Sequence, residues 1–316
     1  MLSRREWLSL TMATGAAAVF DRAWLSAQQP LITRAVPASG ERLPIVGLGS
    51  SATFSQVARG ADVTAVSEVM SALVSGGGTV FDTAPGYGAS EEVAGRVAST
   101  LTLTDKIFWA TKVNVAGGRG GGAGADPAAA RSQVETSFAR VKKNKIDLIQ
   151  VHNLGDVPTQ LAILKELKQQ GRIRYIGVTT TFDQQYPQIV EIMRREPLDF
   201  IGVDYAIDAR EIEETILPLA QERKIGVLSY QPFGRTRLWN RVGNQPVPDY
   251  AKEFDATTWA QFFIKFVASH PAITVVTPAT SQAKNMADNL GGGRGRLPDA
   301  ATRKRMIATV DGLPGR

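Results

Sequence analysis

The sequence predicts an α/β fold, a (β/α)8 TIM barrel with an N-terminal β-hairpin, and three observations carry that prediction. Its 316 residues suit a one-domain barrel. Eight short apolar runs read as strands, and helical patterns separate them. Alternating strands and helices imply parallel pairing through right-handed crossovers, for which a closed barrel is the natural arrangement. A doubly wound open sheet is the structural rival.

In chain order, residues 1–27 read as a leader. Ser3-Arg4-Arg5-Glu6-Trp7-Leu8 sets paired arginines ahead of an uncharged stretch to Phe20, and Leu25-Ser26-Ala27 offers a cleavage site. The apolar stretch is shorter than the roughly 20 residues of a transmembrane helix, and its order of charged, apolar and small residues fits a secretory signal. It resembles a bacterial twin-arginine signal, which implies the twin-arginine export machinery as partner and a periplasmic mature protein. A frayed amphipathic helix is the alternative.

Residues 28–316 then form the barrel domain. Leu31 to Pro44, with Pro37-Ala38-Ser39-Gly40 in the middle, reads as the hairpin. The strand candidates are Ile45 to Leu48, Thr79 to Phe81, Ile107 to Ala110, Ile146 to Val151, Tyr175 to Val178, Phe200 to Val203, Ile225 to Leu228 and Ile273 to Val276. Helices are predicted over Val63 to Val74, Glu91 to Ala98, Pro127 to Val141, Gln160 to Gln170, Gln185 to Arg195, Glu211 to Glu222 and Ala256 to Ala268. Gly117 to Gly124 lacks the dinucleotide fingerprint, having Ala123 where its last glycine would fall, and reads as a flexible loop. Gly291 to Arg296 reads as a surface loop with an arginine available to a phosphate.

Composition narrows the function. With 43% hydrophobic and 21% charged residues the body is that of a soluble globular protein, and the absence of cysteine excludes disulfides and thiolate chemistry. The net charge of +6 comes from 36 basic residues interleaved with 30 acidic ones. Lys142-Lys143-Asn144-Lys145 and Arg303-Lys304-Arg305 carry no interleaved aromatics, so nucleic acid is not the expected partner. His152 and His270 make no ligand cluster, and no metal is implied.

In such a barrel the reactive groups stand at the C-terminal ends of the strands. Asp82 ends the second strand run, Lys112 follows the third, His152 ends the fourth, and Tyr87 lies five residues beyond Asp82. Singly, each has a bland reading as a cap, a rim residue or a packing group. Together they make an acid. A phenol ordinarily titrates near about 10, and lowering it by about 3 units takes roughly 4 kcal/mol. An ammonium about 4 Å away at an effective dielectric near 20 is worth about that much. Lys112 supplies that charge, Asp82 keeps it aimed, and His152 orients a carbonyl oxygen or shares the proton transfer.

Over essentially the whole mature sequence the chain resembles the aldo-keto reductase family. The resemblance rests on Val80-Phe81-Asp82-Thr83-Ala84-Pro85-Gly86-Tyr87-Gly88, Ala110-Thr111-Lys112, Asp147-Leu148-Ile149-Gln150-Val151-His152 and Gly171-Arg172-Ile173-Arg174-Tyr175-Ile176-Gly177-Val178. It implies a catalytic set of Asp82, Tyr87, Lys112 and His152, and hydride transfer between NADP(H), with NAD possible, and an aldehyde or ketone.

The resemblance also implies cofactor contacts. Tyr230, in Ser229-Tyr230-Gln231-Pro232-Phe233-Gly234, would stack on the nicotinamide, with Gln231, Phe233 and Arg235 along the pyrophosphate path. Thr179 and Thr180 stand in place of the family's Ser-Asn and Gly202 in place of its glutamine. Thr280 and Ser281 would meet phosphate, Asp288 and Asn289 the adenine, and Asn285 stands where many members place an arginine against the 2′-phosphate. Phe54, Asn114 and Trp239 are candidates for the substrate wall, and an open site is expected. Two other readings stay in view: a cofactor-binding regulatory or sensor protein with little turnover, and a barrel hydrolase pairing Asp82 with Asp204.

Overall fold

The computed structural model describes residues 29–116 and 124–315. The leader of residues 1–27 and the glycine-rich stretch up to residue 123 lie outside the described residues. Strands β1 (Thr33–Ala35) and β2 (Arg42–Pro44) form the expected antiparallel hairpin, pairing Thr33 with Pro44 and Ala35 with Arg42. Eight parallel strands follow: β3 (Leu48–Gly49), β4 (Val80–Asp82), β5 (Phe108–Val113), β6 (Ile146–Val151), β7 (Ile173–Thr180), β8 (Phe200–Asp204), β9 (Gly226–Tyr230) and β10 (Val275–Val276).

They pair in sequence order, and parallel bridges Val46 to Val276 and Gly49 to Ala279 bring the ends together. The Gly47 amide donates to the Val276 carbonyl at 2.9 Å and the Val276 amide to the Ile45 carbonyl at 2.8 Å, so the first and last strands share backbone hydrogen bonds. The sheet is a barrel with no open edge.

Strand alternation sorts side chains into two cores. Val80, Phe108, Ala110, Leu148, Tyr175, Phe200, Leu228 and Val275 point inward and are buried together with Val36 and Leu43 of the hairpin region, which closes the N-terminal end. Outward residues such as Phe81, Trp109, Ile149 and Ile201 pack under the helices.

The helices follow local signals. Asp126 caps Pro127–Val141 by accepting from the Ala128 amide, and Thr258 caps Trp259–Ala268 by accepting from the Gln261 amide. The second helix therefore begins at Trp259 rather than Ala256. Strands β5 and β7 run further than their apolar runs, so Lys112 and Thr179 lie inside strands. The stretch Glu211 to Glu222 divides into a single 3-10 turn, Glu211–Glu213, and the helix Ile216–Glu222. Short helices Thr53–Val57 and Arg237–Val242 and a final helix Ala300–Asp311 were not foreseen.

The loop from Gly291 to Arg296 is not a free surface loop. Gly292 and Gly293 are buried, the buried Lys265 ammonium donates to the Arg296 carbonyl at 3.0 Å, Arg294 donates to the Gly76 carbonyl, and Arg296 pairs with Asp255 at 2.9 Å. Its arginines are tied to backbone or to carboxylate.

Candidate active site

The inward phase that builds the barrel core continues upward into the site. Two residues beyond Val80 stands Asp82, beyond Ala110 stands Lys112, beyond Leu148 stand Gln150 and then His152, beyond Phe200 stands Gly202, and beyond Leu228 stands Tyr230. Lys112 and Gln150 are register partners on β5 and β6. Tyr87 hangs over this layer from a turn closed by its amide donating to the Ala84 carbonyl at 3.0 Å. All four predicted catalytic residues meet at one mouth.

The Lys112 ammonium donates to Asp82 Oδ2 at 2.7 Å and to the Thr83 carbonyl at 2.8 Å, and the two side chains are 1% and 4% exposed. It stands 5.0 Å from the centre of the Tyr87 ring. Burial opposes its charge, but Asp82 and Tyr87 more than offset that and hold Lys112 above its ordinary value. Burial pushes the Asp82 carboxyl up against the pull of Lys112 and the Tyr230 hydroxyl.

Tyr87 departs from the sequence expectation. Burial raises its phenol, Lys112 lowers it and Asp82 raises it, and the result lies above the ordinary value rather than below. The lysine acts in the expected direction, but desolvation of the phenolate is larger. Tyr87 is therefore a protonated phenol with a cation waiting to receive its anion.

His152 crosses Tyr87 edge to face, with ring centres 5.7 Å apart. Burial and the nearby Lys112 charge lower its pKa to about 3, so at neutral pH it is a neutral imidazole. The turn after it is strained: Asn153 and Leu154 both have positive φ, 54° and 52°. Asn114 braces it by donating Nδ2 to the His152 carbonyl at 2.9 Å.

A cavity of about 480 Å³ opens over these groups, lined by Asp82, Tyr87 and His152 and, of the predicted cofactor residues, by Thr179, Tyr230, Gln231, Phe233 and Arg235. Lys112 lies beneath its floor. Arg235 donates Nε to the Gln231 amide oxygen at 3.2 Å and has no carboxylate partner among the described residues.

Other predicted residues lie elsewhere. Thr180 is fully buried with its hydroxyl given to Gln185, and Thr181 lines the cavity instead. Thr280, Ser281, Asn285, Asp288 and Asn289 follow Thr277 and Ala279, which do reach the cavity, but are not part of its wall. Asp288 accepts from the Thr258 hydroxyl at 2.9 Å and from Gln261 Nε2 at 2.7 Å, so its carboxylate is committed to the helix Trp259–Ala268. Asn285 is exposed and Asn289 buried.

Of the expected wall residues, Phe54 is buried in the core, Asn114 braces His152, and Trp239 packs at a tilt against Phe233 with ring centres 4.9 Å apart. Asp204 accepts from the Tyr186 hydroxyl at 2.9 Å and is not in the cavity wall, which leaves a paired-carboxylate hydrolase without its second carboxylate.

Sequence reasoning missed Gln150. Fully buried, it donates Nε2 to the Tyr230 hydroxyl at 3.1 Å, and its Oε1 has no partner among the described residues. The signal was present: Gln150 shares the inward phase of Leu148 and His152.

A family model described as the aldo/keto reductase family matches residues 46–304. Aldo-keto reductase YhdN of Bacillus subtilis is 32% identical over 203 residues, an alignment spanning 62% of this chain and 60% of that protein. Probable aldo-keto reductase 1 of Glycine max is 28% identical over 247 residues, covering 67% and 70%. Among solved structures, the Bacillus halodurans aldo-keto reductase AKR11C1 superimposes with a TM-score of 0.70 at 23% identity, over 89% of this chain and 96% of that one. An aldo-keto reductase from Klebsiella pneumoniae in complex with NADPH gives 0.70 at 22% identity, over 90% and 98%. These structural likenesses establish the (β/α)8 fold.

Proposed function

The chain belongs to the aldo/keto reductase family, and from that premise we propose that it is an oxidoreductase that reduces aldehydes or ketones with NADP(H), Tyr87 being the proton donor. The observation that carries the proposal is a buried Lys112–Asp82 pair, 2.7 Å apart, under a protonated tyrosine at the floor of a cavity.

The cavity fits a nicotinamide nucleotide in size, since small-molecule sites hold about 300–1,000 Å³. It also fits in chemistry: the flat Tyr230 ring and Thr179 line it, and Arg235 offers a guanidinium without a carboxylate at its wall. Thr280, Ser281 and Asn285 would meet the outlying phosphates, and Asp288 and Asn289 the adenine. A bound nicotinamide would supply the hydride to the carbonyl carbon. Tyr87 would give its proton to the carbonyl oxygen, and Lys112 would stabilise the phenolate left behind. His152, neutral at working pH, can donate a hydrogen bond to that oxygen without competing as an acid. The Klebsiella relative's NADPH supports the choice of cofactor.

The test follows nicotinamide absorbance against a panel of aldehydes. Wild type turns over, and Tyr87→Phe loses at least about a hundredfold, as expected for removal of a general acid. Full rates in Tyr87→Phe would overturn the assignment.

The leader is read as an export signal that delivers the folded protein to the periplasm through the twin-arginine machinery. Cell fractionation of Arg4→Lys/Arg5→Lys should find the protein retained in the cytoplasm; unchanged distribution would refute the export reading.

A further inference from the structure

The Tyr230 hydroxyl stands at the centre of an arrangement that the proposed reaction does not use. It donates to Asp82 Oδ1 at 3.2 Å and accepts from Gln150 Nε2 at 3.1 Å. Asp82 therefore receives Lys112 on one oxygen and Tyr230 on the other. The Lys112 ammonium lies between two tyrosine rings, 5.0 Å from the centre of Tyr87 and 5.3 Å from that of Tyr230.

This arrangement needs Gly202. A Cβ built on Gly202 would lie 2.4 Å from the Tyr230 hydroxyl and 2.6 Å from Cζ. Any other residue on β8 would displace the outer half of the ring, and with it the bond to Asp82.

We infer that Tyr230 and Gln150 are positioning residues for the proton donor. Gln150 holds the Tyr230 hydroxyl on Asp82, the shared hydrogen bond keeps Asp82 ionised in its buried place, and ionised Asp82 holds Lys112 beneath Tyr87. The inference rests on the reductase reading for its catalytic consequence, but the contact itself does not. The titratable groups facing Asp82 are Lys112 from β5, Tyr87 from the loop after β4 and Tyr230 from β9; His152 faces Lys112 from the end of β6. A carboxylate that loses one of its two hydrogen-bond donors takes up a proton at higher pH.

The experiment compares wild type, Tyr230→Phe, Gln150→Leu and the double variant. Phenylalanine retains the ring and removes only the hydroxyl. Expected in Tyr230→Phe are a kcat about tenfold lower, consistent with one lost hydrogen bond to a charged group, an acid limb of the kcat profile displaced upward by about one unit, and a cofactor Kd within about twofold. Gln150→Leu should show a smaller loss, and the double variant no more than Tyr230→Phe alone, because Gln150 acts through the hydroxyl. A profile unchanged in Tyr230→Phe, or additive losses in the double variant, overturns the inference.

A second reading is independent of turnover. The stability gap between wild type and Tyr230→Phe should be largest at neutral pH and close as acid protonates Asp82. If wild type reduces no carbonyl yet that gap behaves so, the reductase reading fails and the contact stands. If the gap is absent or independent of pH, the contact fails.

Discussion

Both mouths of the barrel hold a cation, a carboxylate and a tyrosine, and they behave in opposite ways. At the N-terminal end Arg174 pairs with Glu41 at 2.6 Å and Asp147 at 2.7 Å, and the Tyr175 hydroxyl donates to Glu41 at 2.6 Å. At the C-terminal end Lys112 pairs with Asp82, to which Tyr230 donates, and Tyr87 stands over the lysine. The lower pair is 34% and 30% exposed, the upper 1% and 4%.

Burial opposes ionisation of Glu41 as well, but bonds from Arg174 and Tyr175 and the Arg174 charge win, and its carboxyl is held below the usual range. For Asp82 burial wins and its carboxyl is pushed up. The lower set is a satisfied tie between hairpin and barrel. In the upper set desolvation opposes every charge and prevails at Asp82 and Tyr87, which leaves it responsive to charge developing on a reacting atom. The lesson is that dehydration, together with an open cavity, separates a reactive centre from a structural tie made of the same groups.

The comparison is broken most severely by Lys112→Met. It leaves Asp82 buried without its cation, which costs about 3–5 kcal/mol of stability, and carbonyl reduction should fall by about a thousandfold. Denaturant unfolding and steady-state kinetics would measure both, and a stable, active variant would remove the distinction between the mouths.

Gly202→Ala should come next. The new methyl forces the Tyr230 ring aside, costing about 1–3 kcal/mol of stability and lowering kcat through the lost Asp82 contact. Thermal unfolding beside kinetics would show whether both fall.

His152 sharpens the comparison through pH. Its folded pKa lies near 3 against an ordinary 6.5, so the unfolded chain takes up that proton first, and stability should decline as pH falls from about 6.5 toward about 3. Replacement by asparagine should flatten that slope in denaturant titrations, while an equal slope in the variant would assign the effect to other groups.

The smallest effect belongs to the lower mouth. Arg174→Ala should cost about 1 kcal/mol, since a partly exposed pair is screened by solvent, and should leave kcat unchanged. A loss of activity there would mean that the two ends are coupled through β7.

Much of this was legible in the chain. Period-two alternation is a local property, so the phase that buries Val80, Ala110 and Leu148 also sends Asp82, Lys112 and His152 into one mouth. Helical patterns, also local, placed most helices for the same reason. The partners of Thr180 and Asp288 were not legible: the Thr180 hydroxyl bonds Gln185, and Asp288 accepts from Thr258 and Gln261, contacts that only the folded chain makes. Gln150 was overlooked because its hydrogen-bond partner Tyr230 lies 80 residues away.

The sequence by itself determined which residues face the mouth, because side-chain direction along a strand is set by the backbone a few atoms away. Tertiary structure alone decided how those residues are charged and with whom they bond. Desolvation of Tyr87, the neutrality of His152 and the seating of Tyr230 over Gly202 depend on groups brought from strands far apart in the chain.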